Sequence, residues 1–264
     1  MPSAAMLTCM RFSVVVGVAF VTISGCRSAP VIWEEPVSAP ADSSARLQLT
    51  PDGAPVVASL AKPAGFPRDE GLCPSTLVTA RDEGAWYAAW LSRRPDGAVI
   101  VRAAKSADSG RSWSRPGTVD SVDVGRTGCT HPPPSIAASA GYVHVAYSIE
   151  APEGYGVFFA HSMDGTATFH SPLPVIYGDR LSRAAVAADG MRVAVAYEDP
   201  SGDGHRVEVA PSLTQGHTFD RRMRVSPDEM SAIDPEIAVR GTAVALSFGS
   251  PTGGPRTMRV GHFH

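Results

Sequence analysis

The sequence predicts an all-β fold of four-stranded antiparallel blades arranged as a β-propeller. Three observations carry this expectation. An octapeptide at Ser106–Trp113 recurs in looser form at Ser162–Phe169 and Ser212–Phe219, and starts roughly 50 residues apart match the interval of a four-stranded blade. Between the copies, short apolar runs alternate with Gly- and Pro-bearing segments, the punctuation of strands and hairpins. The one long apolar run lies near the N-terminus, at Phe12–Ile23, so the rest of the chain offers no long helix.

The octapeptide reads Ser106-Ala107-Asp108-Ser109-Gly110-Arg111-Ser112-Trp113. Asp108 can accept backbone N–H groups within a turn, and Gly110 takes a positive φ without a Cβ clash. Trp113 then lays its ring on the sheet. The second copy keeps Ser162, Asp164 and Phe169, with its glycine one place earlier. The third keeps Ser212, Gly216 and Phe219, with Thr214 in the Asp place. The pattern resembles the Asp-box of the sialidase and BNR-repeat families. That resemblance implies a propeller whose boxes are structural clips at the blade periphery, remote from a sialidase active site.

The chain divides into three parts. Residues 1–25 form a signal peptide: no acid precedes Arg11, and the Phe12–Ile23 run is too short to span a bilayer but suits a signal core. The run ends Ile23-Ser24-Gly25-Cys26, which resembles a bacterial lipobox and implies lipidation at Cys26. Arg27 follows, and the resemblance then points to the outer membrane, on its periplasmic or surface face. Residues 26–54, with Pro30, Pro36, Pro40 and Pro51, are expected to be a Pro/Ser/Ala-rich tether. Residues 55–264 are the propeller.

Within it the strands fall into four blades, here lettered A to D from the centre outward. Blade one starts at Ser75–Val78, blade two at Ser135–Ala138, blade three at Arg183–Ala187 and blade four at Pro235–Val239. One aromatic per blade, Trp90, Tyr147, Tyr197 and Phe248, sits at the matching place of each B strand, as inter-blade packing requires. Blade four lacks a D strand, and Pro55–Leu60 is expected to supply it, closing the ring and hiding the edge. The sialidase resemblance implies six blades, so a truncated six-bladed fold is the alternative.

Net charge is −3, and Lys62 and Lys105 are the only lysines. This near-neutral balance excludes a nucleic-acid surface. Cys73 and Cys129 remain after Cys9 and Cys26 are assigned to the signal and its lipid. In an exported chain they form either a disulfide or two buried thiols. No Cys/His spacing suggests a metal, and no cofactor motif is present.

Chemistry in such a fold sits at one mouth of the channel, on the D-to-A and B-to-C loops. Arg126, His131, Glu150, Arg180 and Arg183 are the candidate ligand-binding residues, since Arg forks grip carboxylates. Arg180, Arg183, Glu198, Asp199 and Asp234 are the weak candidates for catalysis. The resemblance does not carry over the sialidase catalytic set. Its first arginine belongs in the segment matching Gly71-Leu72-Cys73-Pro74-Ser75, where Leu72 stands instead. The sequence therefore points first to a monomeric envelope module binding a glycan or protein at its mouth. A rearranged sialidase-like glycoside hydrolase and an assembly factor for a membrane complex are the alternatives.

Overall fold

A computed structural model describes residues 8–16, 19–27, 29–39, 46–202 and 205–264. Part of the expected signal and tether therefore lies outside the described residues. Strands β1 (Thr8–Val16) and β2 (Ala19–Arg27) form a hairpin whose only described pairing is with itself. No helix among the described residues is long and apolar enough to cross a membrane.

Residues further on contradict the expected tether. β3 (Val31–Trp33) and β4 (Val37–Ser38) are strands, as are β5 (Arg46–Leu49) and β6 (Pro55–Ala58). Blade one is β7 (Val78–Asp82), β8 (Ala85–Arg93), β9 (Val99–Ser106) and β10 (Gly117–Asp120). Blade two is β11 (Ser135–Ser139), β12 (Tyr142–Ala151), β13 (Gly154–Ser162) and β14 (Leu173–Gly178). Blade three is β15 (Ala184–Asp189), β16 (Arg192–Glu198), β17 (Val207–Ser212) and β18 (Met223–Arg224). Blade four is β19 (Ile233–Arg240), β20 (Ala243–Gly249) and β21 (Thr257–Phe263), completed by β3 and β4. The fold is thus the expected all-β array of four-stranded antiparallel blades.

The N-terminal part of the chain does complete blade four, but through a different segment from the one expected. Trp33 pairs with Gly261 and Val31 with Phe263, while Val37 pairs with Met258. Val31 is buried in the core with Val244, Leu246 and Phe263, and this apolar contact anchors a segment whose prolines disguise it. Pro55–Ala58 instead pairs with β5. Leu47 and Leu49, alternate residues on one face, pack on Ala243, Ala245 and Met258. The β5–β6 hairpin is therefore a separate two-stranded sheet whose β5 lies beside β19 and β20 of blade four.

The first strand of blade one begins later than expected, at Val78. Ser75 has φ +63°, and the Thr76 hydroxyl donates to the Cys73 carbonyl at 2.8 Å while accepting from the Leu91 N–H at 3.2 Å. Cys73–Leu77 is thereby held as a turn.

The four B-strand aromatics are all buried, at 0–1% exposure. Their polar handles find carboxylates, as buried Trp and Tyr require. Trp90 Nε1 donates to Asp69 at 2.7 Å, Tyr147 to Asp120 at 2.6 Å and Tyr197 to Glu208 at 2.8 Å. Phe248 has no such group to satisfy.

The octapeptide turns share one hydrogen-bond plan. Ser106 Oγ donates to Asp108 and accepts from the Gly110 N–H, both at 2.8 Å; Asp108 accepts the Ser112 N–H at 2.8 Å and its hydroxyl at 2.6 Å. Ser162, Asp164, Thr166 and Thr168 repeat it. In the third turn Thr214 replaces the carboxylate: its hydroxyl accepts the Thr218 N–H at 3.0 Å, and Ser212 accepts the Gly216 N–H at 3.0 Å. The Ser112 and Thr168 hydroxyls, with backbone N–H groups, hold the Asp108 and Asp164 carboxyls down to about 2. Trp113 donates to the Gly65 carbonyl at 3.2 Å, and Phe169 and Phe219 pack on the blade cores. Gly110 is obligatory: at φ +88°, its Cβ would lie 2.4 Å from Pro63.

Candidate functional site

The mouth is the end where the A strands begin and the B-to-C loops turn. Its candidate residues fall into two groups, one on blades one and two and one on blades three and four.

In the first group Asp123 is the centre. It is 2% exposed. Oδ2 accepts the Val99 N–H at 2.8 Å, and Oδ1 accepts the Glu150 N–H at 3.0 Å and lies 3.3 Å from His131 Nε2. His131 Nδ1 lies 2.8 Å from the Gly128 carbonyl. Both ring nitrogens therefore face acceptors, an arrangement that favours the imidazolium. Burial opposes that charge, but the Asp123 hydrogen bond, the Gly128 carbonyl and the charges of Asp123 and Glu150 outweigh it and raise the His131 pKa. Burial likewise pushes the Asp123 carboxyl up, and His131 with the two backbone donors brings it below its ordinary value. Glu150 meets this group through its backbone, and Arg126 on the same loop is exposed.

A disulfide joins Cys73 to Cys129, settling the alternative the sequence left open. Cys129 lies in a short 3-10 turn, Gly128–Thr130, immediately before His131. The bridge ties the loop carrying His131 to the entrance of blade one.

In the second group Asp234 is the hub, at φ +54°. Its N–H donates to Glu198 Oε1 at 2.6 Å. Its carboxylate lies 3.5 Å from Arg183 Nη1 and 3.2 Å from Arg256 Nη1. Arg256 Nη2 also donates to the Asp234 carbonyl at 2.6 Å. Arg183, Glu198 and Asp234 are thus brought together. Arg180 is turned to other partners, the Gly202 carbonyl at 2.8 Å and the Asp199 carbonyl at 3.0 Å. The buried Asp199 carboxylate accepts the Ser201 N–H and hydroxyl, at 2.9 and 2.6 Å.

Arg256 and Asp123 are central to these groups and were not singled out from the sequence. Arg256 lies at the end of the B-to-C loop of blade four, just before β21, and its membership of a B-to-C loop was a usable signal. Asp123 had none, since an Asp in a loop does not announce burial.

Chemically, the group on blades three and four provides cations already matched by acceptors. Arg180 is held by two carbonyls, and Arg183 and Arg256 share Asp234. Tyr197 and Glu208 form a Tyr–Glu pair, but Tyr197 is fully buried, and burial, followed by the Glu208 charge, pushes its phenol up. His161, His170 and His217 converge at the end of the blades opposite the mouth.

No family model matches the chain, and no curated protein does. Among solved structures, the chain is similar to the Hadza microbial sialidase Hz136, with TM-score 0.50 and 14% identity over 72% of this chain and 46% of that one. It also matches Zg3597, a family 117 glycoside hydrolase from the marine bacterium Zobellia galactanivorans, at TM-score 0.42 and 18% identity, over 78% of this chain and 66% of that one. The catalytic domain of the Coprinopsis cinerea GH62 α-L-arabinofuranosidase matches at TM-score 0.46 and 12% identity, over 82% and 70%. The chain spans about half the length of the sialidase it matches. Its fold is a sialidase-like β-propeller.

Proposed function

We propose that the protein is a cell-envelope-anchored carbohydrate-binding propeller that does not hydrolyse sialosides. The supporting observation is the state of the arginines on blades three and four. A carboxylate clamp needs guanidinium forks free to close on the ligand. Here Arg180 is bonded to two backbone carbonyls and Arg183 and Arg256 are paired with Asp234. A rim of paired charges and hydroxyls recognises the hydroxyls of a sugar without needing a charged partner. That a sialidase is among the solved structures of similar fold supports carbohydrate as the ligand class. Anchoring rests on the Ile23-Ser24-Gly25-Cys26 signature, with the membrane reached through the lipid.

The test is a glycan array probed with the full chain. The reading expects binding that Glu150→Gln or Arg126→Ala weakens while the melting temperature holds. Failure of a folded sample to bind any glycan overturns it. Anchoring is tested separately, by fatty-acid labelling that Cys26→Ser abolishes.

A further inference from the structure

We infer that His161, His170 and His217 form a binding site for a borderline divalent transition-metal ion of the zinc class, bridging blades two and three. One ring nitrogen from each lies within 4.8 Å of the others. A metal with bonds of about 2.0–2.1 Å holds its nitrogens roughly 3.4 Å apart, so a rotation of the two exposed rings by about an ångström closes the set. Three imidazoles with an open fourth position suit Zn²⁺, Cu²⁺ or Ni²⁺ rather than hard cations.

The local structure prepares each ligand. His161 is on β13, 3% exposed, and its Nε2 is buried with no hydrogen-bond partner. An orphaned buried imidazole nitrogen is costly unless something occupies it. His170 follows the second octapeptide turn, and its N–H donates to the His161 carbonyl at 2.9 Å. His217 stands in the third turn, where its Nδ1 meets the Thr214 carbonyl at 2.7 Å. A donor at Nδ1 fixes the tautomer and leaves Nε2 as a lone pair, the usual second-shell arrangement for a metal-bound histidine. Gly216 is needed beside it: at φ +82°, its Cβ would fall 2.4 Å from the Phe159 ring.

The surroundings favour neutral ligands. Phe159, His144 and Tyr142 wall the site, with Phe159 stacked on His144 at 5.8 Å and Tyr142 6.2 Å from His217. His161 is buried beside the Phe159 ring, 6.0 Å away. The third turn carries Thr214 where the first two carry Asp. The site is distinct from the mouth, and the inference does not rest on the glycan reading.

The test is calorimetric titration of the tag-free full chain with Zn²⁺, and with Co²⁺ followed by its visible spectrum. One ion per chain should bind, with nitrogen-ligand bands and no thiolate charge transfer, and should raise the melting temperature. His217→Ala and His170→Ala remove exposed ligands without opening the core. Each should weaken binding by more than the about 10–100-fold typical of second-shell changes, and each should abolish the thermal shift. Either variant binding zinc like the parent, a cobalt spectrum showing thiolate, or no binding to the parent by 1 mM zinc (~1 mM being the weak limit of specific affinity) overturns the inference.

Discussion

The Gly241 N–H donates to Asp189 Oδ2 at 2.6 Å, joining the A–B turn of blade four to that of blade three. The same relation links Gly190 to Ser139 Oγ at 2.9 Å and Gly141 to Asp82 at 3.4 Å. The last residue of the A strand in blades one, two and three thus caps the next blade's turn. Among the described residues no backbone ladder joins the four sheets; these clips, other side-chain hydrogen bonds such as Val186 N–H to Ser135 Oγ at 3.0 Å, and apolar packing hold them in one angular order.

Removing the shortest clip should be measurable. Asp189→Ala is expected to cost about 1 kcal/mol, the usual net value of one hydrogen bond, while Asp82→Ala, whose clip is longer, should cost less. Chemical denaturation with both variants checks this through the shift in midpoint at unchanged slope.

Blade four needs its N-terminal strand. A chain starting at residue 55 loses β3, β4 and β5 and leaves β21 as a naked edge, which templates aggregation. Such a truncation is expected to lose cooperative unfolding and to associate, whereas the longer chain does not. Size-exclusion chromatography with light scattering distinguishes the two.

The Cys73–Cys129 bridge closes a separation of 56 residues, worth about 4 kcal/mol on the chain-entropy account. Cys129→Ser should lower stability by an amount of that order. It should also increase amide exchange in the 121–134 loop before it does so in blades three and four.

Two histidine groups pull stability in opposite directions with pH. His131 has a raised folded pKa, so its contribution is full below the unfolded value of about 6.5 and is lost as pH rises through the folded value. His161 and His144 have folded values of about 4 and about 3. With them the chain is most stable above the unfolded value and loses stability as pH falls from there toward the folded values. His131→Gln is expected to flatten the alkaline side of the profile and leave the acid side. Denaturation midpoints across pH 4–9 (a range spanning roughly two units either side of the free histidine pKa) check both limbs.

Much of the fold was legible because its signals are local. Ser106, Asp108, Gly110 and Trp113 act within eight residues, and Trp90, Tyr147, Tyr197 and Phe248 repeat at one place in each blade. What escaped depends on partners far along the chain. Val31 becomes a core residue only because Phe263 pairs with it, and composition made its Pro-rich surroundings read as a tether. Leu47 and Leu49 were discounted for the same reason. At the mouth, Arg183 and Asp234 were identified as candidates, but not that they neutralise each other. His161, His170 and His217 lie on two blades, so no sequence spacing could reveal their convergence.

The central claim is a mouth that holds carbohydrate without cleaving sialosides. It is tested most directly by incubating the folded full chain with fluorogenic sialosides while following sugar binding on the same sample. The account predicts binding with no release of fluorophore above the buffer rate. Turnover that Arg183→Ala or Asp234→Asn abolishes would contradict it and would make the paired charges of blades three and four an active site.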